Sequence, residues 1–178
     1  MSADGSDPAG RHQGRVAALQ LLYQREVGGV EGPRGRGRSA RSRPGSQQRE
    51  AGGVERSRFD RAVDLYWLEH PAPDGPRRFA EGLLLGTLDA LERIDPLIEA
   101  AAHNWRLSRM AVIDRLVLRL AVYELIVAET PPAVVIDEAI ELARTFSDEP
   151  SPRFVNGVLD AVRHRLDEDR GAPGPPAD

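Results

Sequence analysis

The side chains able to do chemistry are few and scattered. Four histidines stand at positions 12, 70, 103 and 164. Glu99 and His103 fall at helical i, i+4 spacing, but no second ligand pair follows. A carboxylate-bridged metal pair would need Glu-x-x-His twice. Cysteine is absent, which excludes disulfides, thiolate metal sites and thiol nucleophiles. Lysine is absent too, so the phosphate-cradling order GxxxxGK[ST] does not occur. Asp137, Glu138 and Glu141 are carboxylates clustered on one predicted helix. On an amphipathic helix they read as a solvated face or as contacts for a basic partner. With no convergent reactive set, the chain reads as a non-enzyme without a cofactor.

Binding chemistry is better represented. All 24 basic residues are arginine, and the formal net charge is −4. That charge is uneven. Residues 31–61 hold nine arginines against four acids, and residues 111–150 hold eight acids against three arginines. Such a split suits two partners, a polyanion and a basic protein. Arg34, Arg36 and Arg38 alternate with glycine, in the manner of Arg/Gly stretches that bind RNA without sequence preference.

The elements that must position these groups are helical. Val16, Leu19, Leu22 and Tyr23 follow a helical period in a segment predicted to run over 11–27 and to end at Gly28-Gly29. Residues 28–58 then hold eight Gly and two Pro with almost nothing large and apolar. That composition cannot offset its ordering entropy, so 28–57 is predicted to be a mobile insertion. Further helices are predicted over 59–69 and 77–94. A short one, over 97–103, is predicted to start from Pro96. Ser108 is the expected N-cap of a central helix over 109–129, apolar on several faces. A helix over 133–146 follows, and the last one runs over 152–167 from a Ser151 cap with Pro152 at its first position. Gly82 and Gly86 share a face and would permit close helix approach. No period-2 strand stands out. The reading is one all-α domain of about seven helices over 11–168, between disordered tails at 1–10 and 169–178.

The opening MSADGSDPAG has neither the basic start nor the apolar run of a secretory leader. The longest stretch without a formal charge is nine residues, Val16–Gln24, against roughly 20 needed to span a bilayer. No membrane segment and a cytoplasmic location are therefore expected.

Several motifs carry a resemblance. They are RVAALQLLYQ at 15–24, NWRLSRM at 104–110, IDRLVLRLAVYE at 113–124, VIDEAIELARTF at 135–146 and RFVNGVLD at 153–160. Together they resemble the transcription antitermination factor family NusB over roughly residues 11–27 and 77–166. The resemblance implies an all-α fold of two small packed helical bundles and no enzymatic activity. It implies binding to the boxA element of nascent ribosomal RNA together with the small-subunit ribosomal protein that doubles as NusE. That pair would join other Nus factors on RNA polymerase and suppress premature termination.

Carried onto this chain, the family's RNA-binding positions match Arg11, Arg15, Arg153 and Phe154. Guanidinium groups suit phosphates, and an edge aromatic suits an unpaired base. Positions for the ribosomal protein match Tyr23, Asp114 and Glu138. Asn156 and Gly157 are expected to be structural, the glycine by allowing close helix contact. The chain departs from the family in a thin N-terminal arginine cluster and in the Gly/Arg-rich insertion; either the insertion's arginines partly replace the missing ones, or RNA binding is weakened, or the insertion is an unselected expansion. The alternative is a helical protein–protein adaptor or ribosome-maturation factor with weak or non-specific RNA binding. Exposed helix faces also leave a homodimer open.

Overall fold

The structure, a computed structural model, describes residues 7–28, 59–103 and 105–171. Expectations for residues 1–6, for the insertion from residue 29 to 58 with Arg34, Arg36 and Arg38, and for 172–178 lie outside the described residues. The described residues form helices α1 (Pro8–Val27), α2 (residues 59–69), α3 (Asp74–Asp89), α4 (Leu91–Ala101), α5 (Val112–Val127), α6 (Pro132–Phe146) and α7 (Ser151–Gly171). A single 3-10 turn, Leu107–Arg109, precedes α5. No strand occurs among the described residues. Two compact units divide between Leu84 and Leu85, within α3.

In the first unit, α1 starts earlier than its apolar pattern suggests. Asp7 caps it by accepting the Ala9 N–H at 3.2 Å, and Pro8 takes the first position, where no donor is needed. Ala17, Ala18, Leu19, Leu21 and Leu22 form its buried stripe. Phe59, Tyr66 and Trp67 of α2 and Ala80, Leu83 and Leu84 of α3 are buried in the same unit. Gly14 permits this packing. A Cβ there would lie 2.6 Å from the Phe79 ring and 3.1 Å from the Pro76 carbonyl oxygen. Tyr66 stacks edge-on against Trp67 and donates its hydroxyl to Gln20 Oε1 at 2.7 Å. Burial pushes the Tyr66 phenol above its ordinary range, so it stays a neutral donor.

In the second unit, α5 is the central helix. Leu116, Val117, Leu118, Leu120, Ala121, Val122 and Leu125 are all buried, which covers most of its circumference. It packs against α4, α6 and α7. Arg119 clamps Asp95 of α4 with two parallel bonds of 2.8 Å, the fork-to-fork geometry that gives a pair its direction as well as its energy. The α5 C-terminus closes on Ala128, at φ 59°. Buried Glu124 accepts the Thr130 hydroxyl just beyond it.

Other boundaries differ from the sequence expectation too, and α3 runs over Asp74–Asp89 where a helix over 77–94 is expected. Pro96 does not start a helix. It sits inside α4, which begins at Leu91 after a break at Ala90. Proline there forfeits a single backbone bond near the helix start, and burial of Ile94 and Ile98 holds the segment helical. Ser108 is not the N-cap of α5. It is drawn into the 3-10 turn, and Ala111 is the cap residue, without a side-chain bond. Ser151 does not serve as a free cap either, because its hydroxyl turns to Asp114. Finally, α7 continues to Gly171, past the expected end at 167. Arg170 holds that last turn by donating to the Leu125 carbonyl at 3.0 Å.

The glycines separate by surroundings. A Cβ on Gly86 would collide with the Tyr123 ring, so this glycine does permit a close approach. Gly82 and Gly157 face open space, with nothing within 4 Å of an added Cβ. The expectation that Gly157 allows helix contact is therefore corrected, because no other described helix approaches that side.

Candidate RNA and partner surfaces

The second unit holds the better-defined surface. Its geometry begins at the loop between α4 and α5. The α4 C-terminus closes with Ala102 N–H on the Ile98 carbonyl, and His103 turns the chain at φ 41°. Leu107 is then held at both backbone groups. Its N–H donates to Glu99 Oε1 at 3.4 Å, and its carbonyl accepts from Arg115 Nη1 at 3.0 Å. The Leu107 and Met110 side chains are buried. Glu99 and His103, which share metal-like spacing, thus serve loop geometry. No group of three or more metal-ligating side chains converges among the described residues.

The anchored loop leaves Trp105 outside, 54% exposed. Its ring lies 6.0 Å from that of Phe154 at an interplanar angle of 60°. Phe154 stands one residue after exposed Arg153, in the first turn of α7. Trp105, Met110, Ala111, Asp114, Pro150, Ser151 and Phe154 line an open, mostly apolar pocket of about 170 Å³.

Asp114 lies within this lining and is buried. Its Oδ1 accepts the Ser147 hydroxyl at 2.6 Å and its Oδ2 accepts the Ser151 hydroxyl at 2.9 Å. The two serine oxygens are 2.9 Å apart. One carboxylate thus ties the start of α5 to the end of α6 and the start of α7. Hydrogen bonds to both oxygens offset the cost of burying it. The residue expected to meet a protein partner is chiefly a joint that sets where Phe154 emerges. Glu138 is half-buried on α6, between exposed Asp137 and Glu141, and Glu141 is bonded to Arg144.

In the first unit, Arg11 and Arg15 do come together, but on an aromatic ring. Their guanidinium carbons lie 5.4 and 5.2 Å from the centre of Phe79. Arg11 is half-buried and Arg15 is 3% exposed. Cations on a ring face gain from its quadrupole, so these arginines serve packing as well as charge. Tyr23 is exposed on the same helix. Sequence reasoning missed Phe79 as the partner of Arg11 and Arg15 and Trp105 as the partner of Phe154. Trp105 carried a signal, being a large aromatic outside any helical period and followed by arginine.

Comparison with known proteins agrees with this architecture. The NusB family profile matches residues 12–164. The transcription antitermination protein NusB of Sorangium cellulosum is 38% identical over 164 residues, covering 90% of this chain and 98% of that protein. The protein of the same name from Anaeromyxobacter dehalogenans strain 2CP-1 is 46% identical over 157 residues, covering 88% and 92%. Among solved structures, Thermotoga maritima NusB superposes with a TM-score of 0.63 at 30% identity, covering 86% of this chain and 90% of that one. A chain from a crystal structure of antitermination factors NusB and NusE with double-stranded RNA has the same fold, with a TM-score of 0.63 at 24% identity over 88% of this chain and 98% of that one. Two helical units, a central apolar helix with Tyr123-Glu124 near its C-terminus and a final helix with Arg153-Phe154 in its first turn are thus set in a sequence that matches the profile over residues 12–164, and the chain belongs to the NusB family.

Proposed function

We propose that this protein is an RNA-binding antitermination factor, acting by binding and not by catalysis. Its ligand in this reading is boxA of nascent ribosomal RNA, held together with a NusE-type ribosomal protein. Family membership over residues 12–164 carries the reading. Arg153 and Phe154 support it, being an exposed cation and a half-buried aromatic side by side at the start of α7. Arg11 and the insertion arginines Arg34, Arg36 and Arg38 add electrostatic attraction to phosphates, while Arg15 acts mainly by holding Phe79. Tyr23 and the acidic α6 face around Glu138 meet the basic ribosomal protein, and Asp114 shapes the surface beside it. The pair then joins other Nus factors on RNA polymerase in the cytoplasm. No described helix is long and apolar enough to cross a membrane.

The test is binding of a labelled boxA-like RNA against a scrambled control, at two salt concentrations, with and without the cognate NusE-type protein. Preference for boxA that strengthens with the partner is the expected result. Salt-sensitive binding blind to sequence would reduce the arginines to general electrostatics. Absence of RNA binding even with the partner would leave the adaptor reading.

A further inference from the structure

We infer that Trp105 is a base-stacking residue, and that the pocket between Trp105 and Phe154 receives one unpaired nucleobase of the RNA. This rests on the reading above that the chain binds RNA.

Three observations carry it. The first is exposure held in place. Trp105 is 54% exposed, yet its loop is pinned through both backbone groups of Leu107. The indole is therefore presented to solvent by a rigid support, and a large pre-positioned aromatic costs little entropy when it binds. The second is shape. The two rings touch edge to face, 6.0 Å apart at 60°, and both line the open pocket, where a flat heterocycle can stack on one ring and meet the other edge-on. The pocket volume of about 170 Å³ is of the right order for one ring, since a cavity of about 150 Å³ takes benzene.

The third is polarity. Arg106, Arg109 and Arg153 are exposed and adjoin lining residues in the chain. Asp148 and Glu149, also exposed, precede the lining residue Pro150. The polar group in the wall is Asp114 with its serine. A carboxylate there repels phosphate but accepts from the amino edge of a base. The pocket thus fits a base, with the backbone passing over the arginines outside.

The experiment uses the full chain, a boxA-like RNA alone and no protein partner. Trp105→Ala is expected to weaken RNA binding about tenfold while leaving the slope of affinity against salt unchanged, because no phosphate contact is lost. Trp105→Phe keeps a stacking face and is expected to retain most of the affinity. In the unaltered protein, RNA is expected to quench tryptophan emission, and Trp105→Phe is expected to abolish that quench although Trp67 remains. Thermal melts of each variant identify loss of fold. Should the alanine variant fail to fold, the quench and the phenylalanine variant decide.

Unchanged affinity in Trp105→Ala, or RNA binding without any quench, would overturn the inference. If the unaltered protein binds no RNA at any salt concentration, it is the functional reading itself that fails.

Discussion

Arginine and phenylalanine meet in both units of this molecule, with opposite outcomes. In the first unit, Arg11 and Arg15 lie over Phe79, and Arg15 is almost wholly covered. In the second, Arg153 is exposed, and Phe154 shares its pocket with an exposed tryptophan. The residue types are the same. What differs is whether a neighbouring helix arrives. Gly14 lets the start of α3 close on α1, which brings Phe79 under the arginines. Beside α7, the neighbour is a loop held by Glu99 and Arg115, and it stops short of covering Phe154. A guanidinium laid over a half-buried ring, as Arg15 is over Phe79, stabilises the fold, whereas one exposed beside a ring is left for a ligand.

The largest effect should come from removing the covered ring. Phe79→Ala is expected to destabilise the protein by about 3 kcal/mol, read as a lower midpoint in chemical denaturation. The same change at Phe154, which is open on one side, should cost much less stability and more RNA affinity. A similar stability loss at both positions would erase the contrast.

Asp114→Ala comes next, at about 2 kcal/mol. It removes the acceptor of both serine hydroxyls and loosens the joint that sets the start of α7. Asp114→Asn keeps an acceptor and should cost less; equal losses would show that charge matters more than hydrogen bonding.

Arg15→Gln is expected to cost about 1–2 kcal/mol through its ring contact, without changing the salt slope of RNA binding. A lower slope with intact stability would show that Arg15 reaches phosphate after all.

Gly157→Ala should raise stability by about 0.5–1 kcal/mol, because the added methyl meets nothing. If RNA affinity falls at the same time, the bare backbone beside Arg153 and Phe154 is part of the bound surface. Arg153→Gln should have the smallest effect on folding, within about 0.5 kcal/mol. It should nevertheless lower the salt slope by roughly 0.7 for a single strand. An unchanged slope would remove Arg153 from the phosphate contacts.

Much of this was legible in the chain. Apolar residues at helical spacing in α5, α6 and α7 predict most of the stripes that are buried, because burial of one face is what makes a short helix stable; in α1 Leu19 and Leu22 are buried, but Tyr23 of the same period is exposed. The motif around Arg153 and Phe154 marks the start of α7, and Pro152 with Ser151 marks its boundary. Helix ends were less legible. Ser108 and Ser151 are both good caps by local preference, yet one entered a 3-10 turn and the other bonded to Asp114. Pro96 marks a helix start by the same local rule, but buried isoleucines on either side of it hold the helix through it. Local preferences worth about 1 kcal/mol yield to tertiary contacts of similar or greater size.

The sequence by itself determined the helical class, the family, the lack of thiol and lysine chemistry and the division of charge. These follow from composition, period and motif, which need no knowledge of what lies opposite a residue. Only the tertiary structure decided which arginines are covered, that Asp114 is a joint, that Gly86 is filled and Gly157 open, and that Trp105 stands beside Phe154. Each of those depends on residues distant in the chain arriving at one place, and side-chain exposure is a property of that arrival.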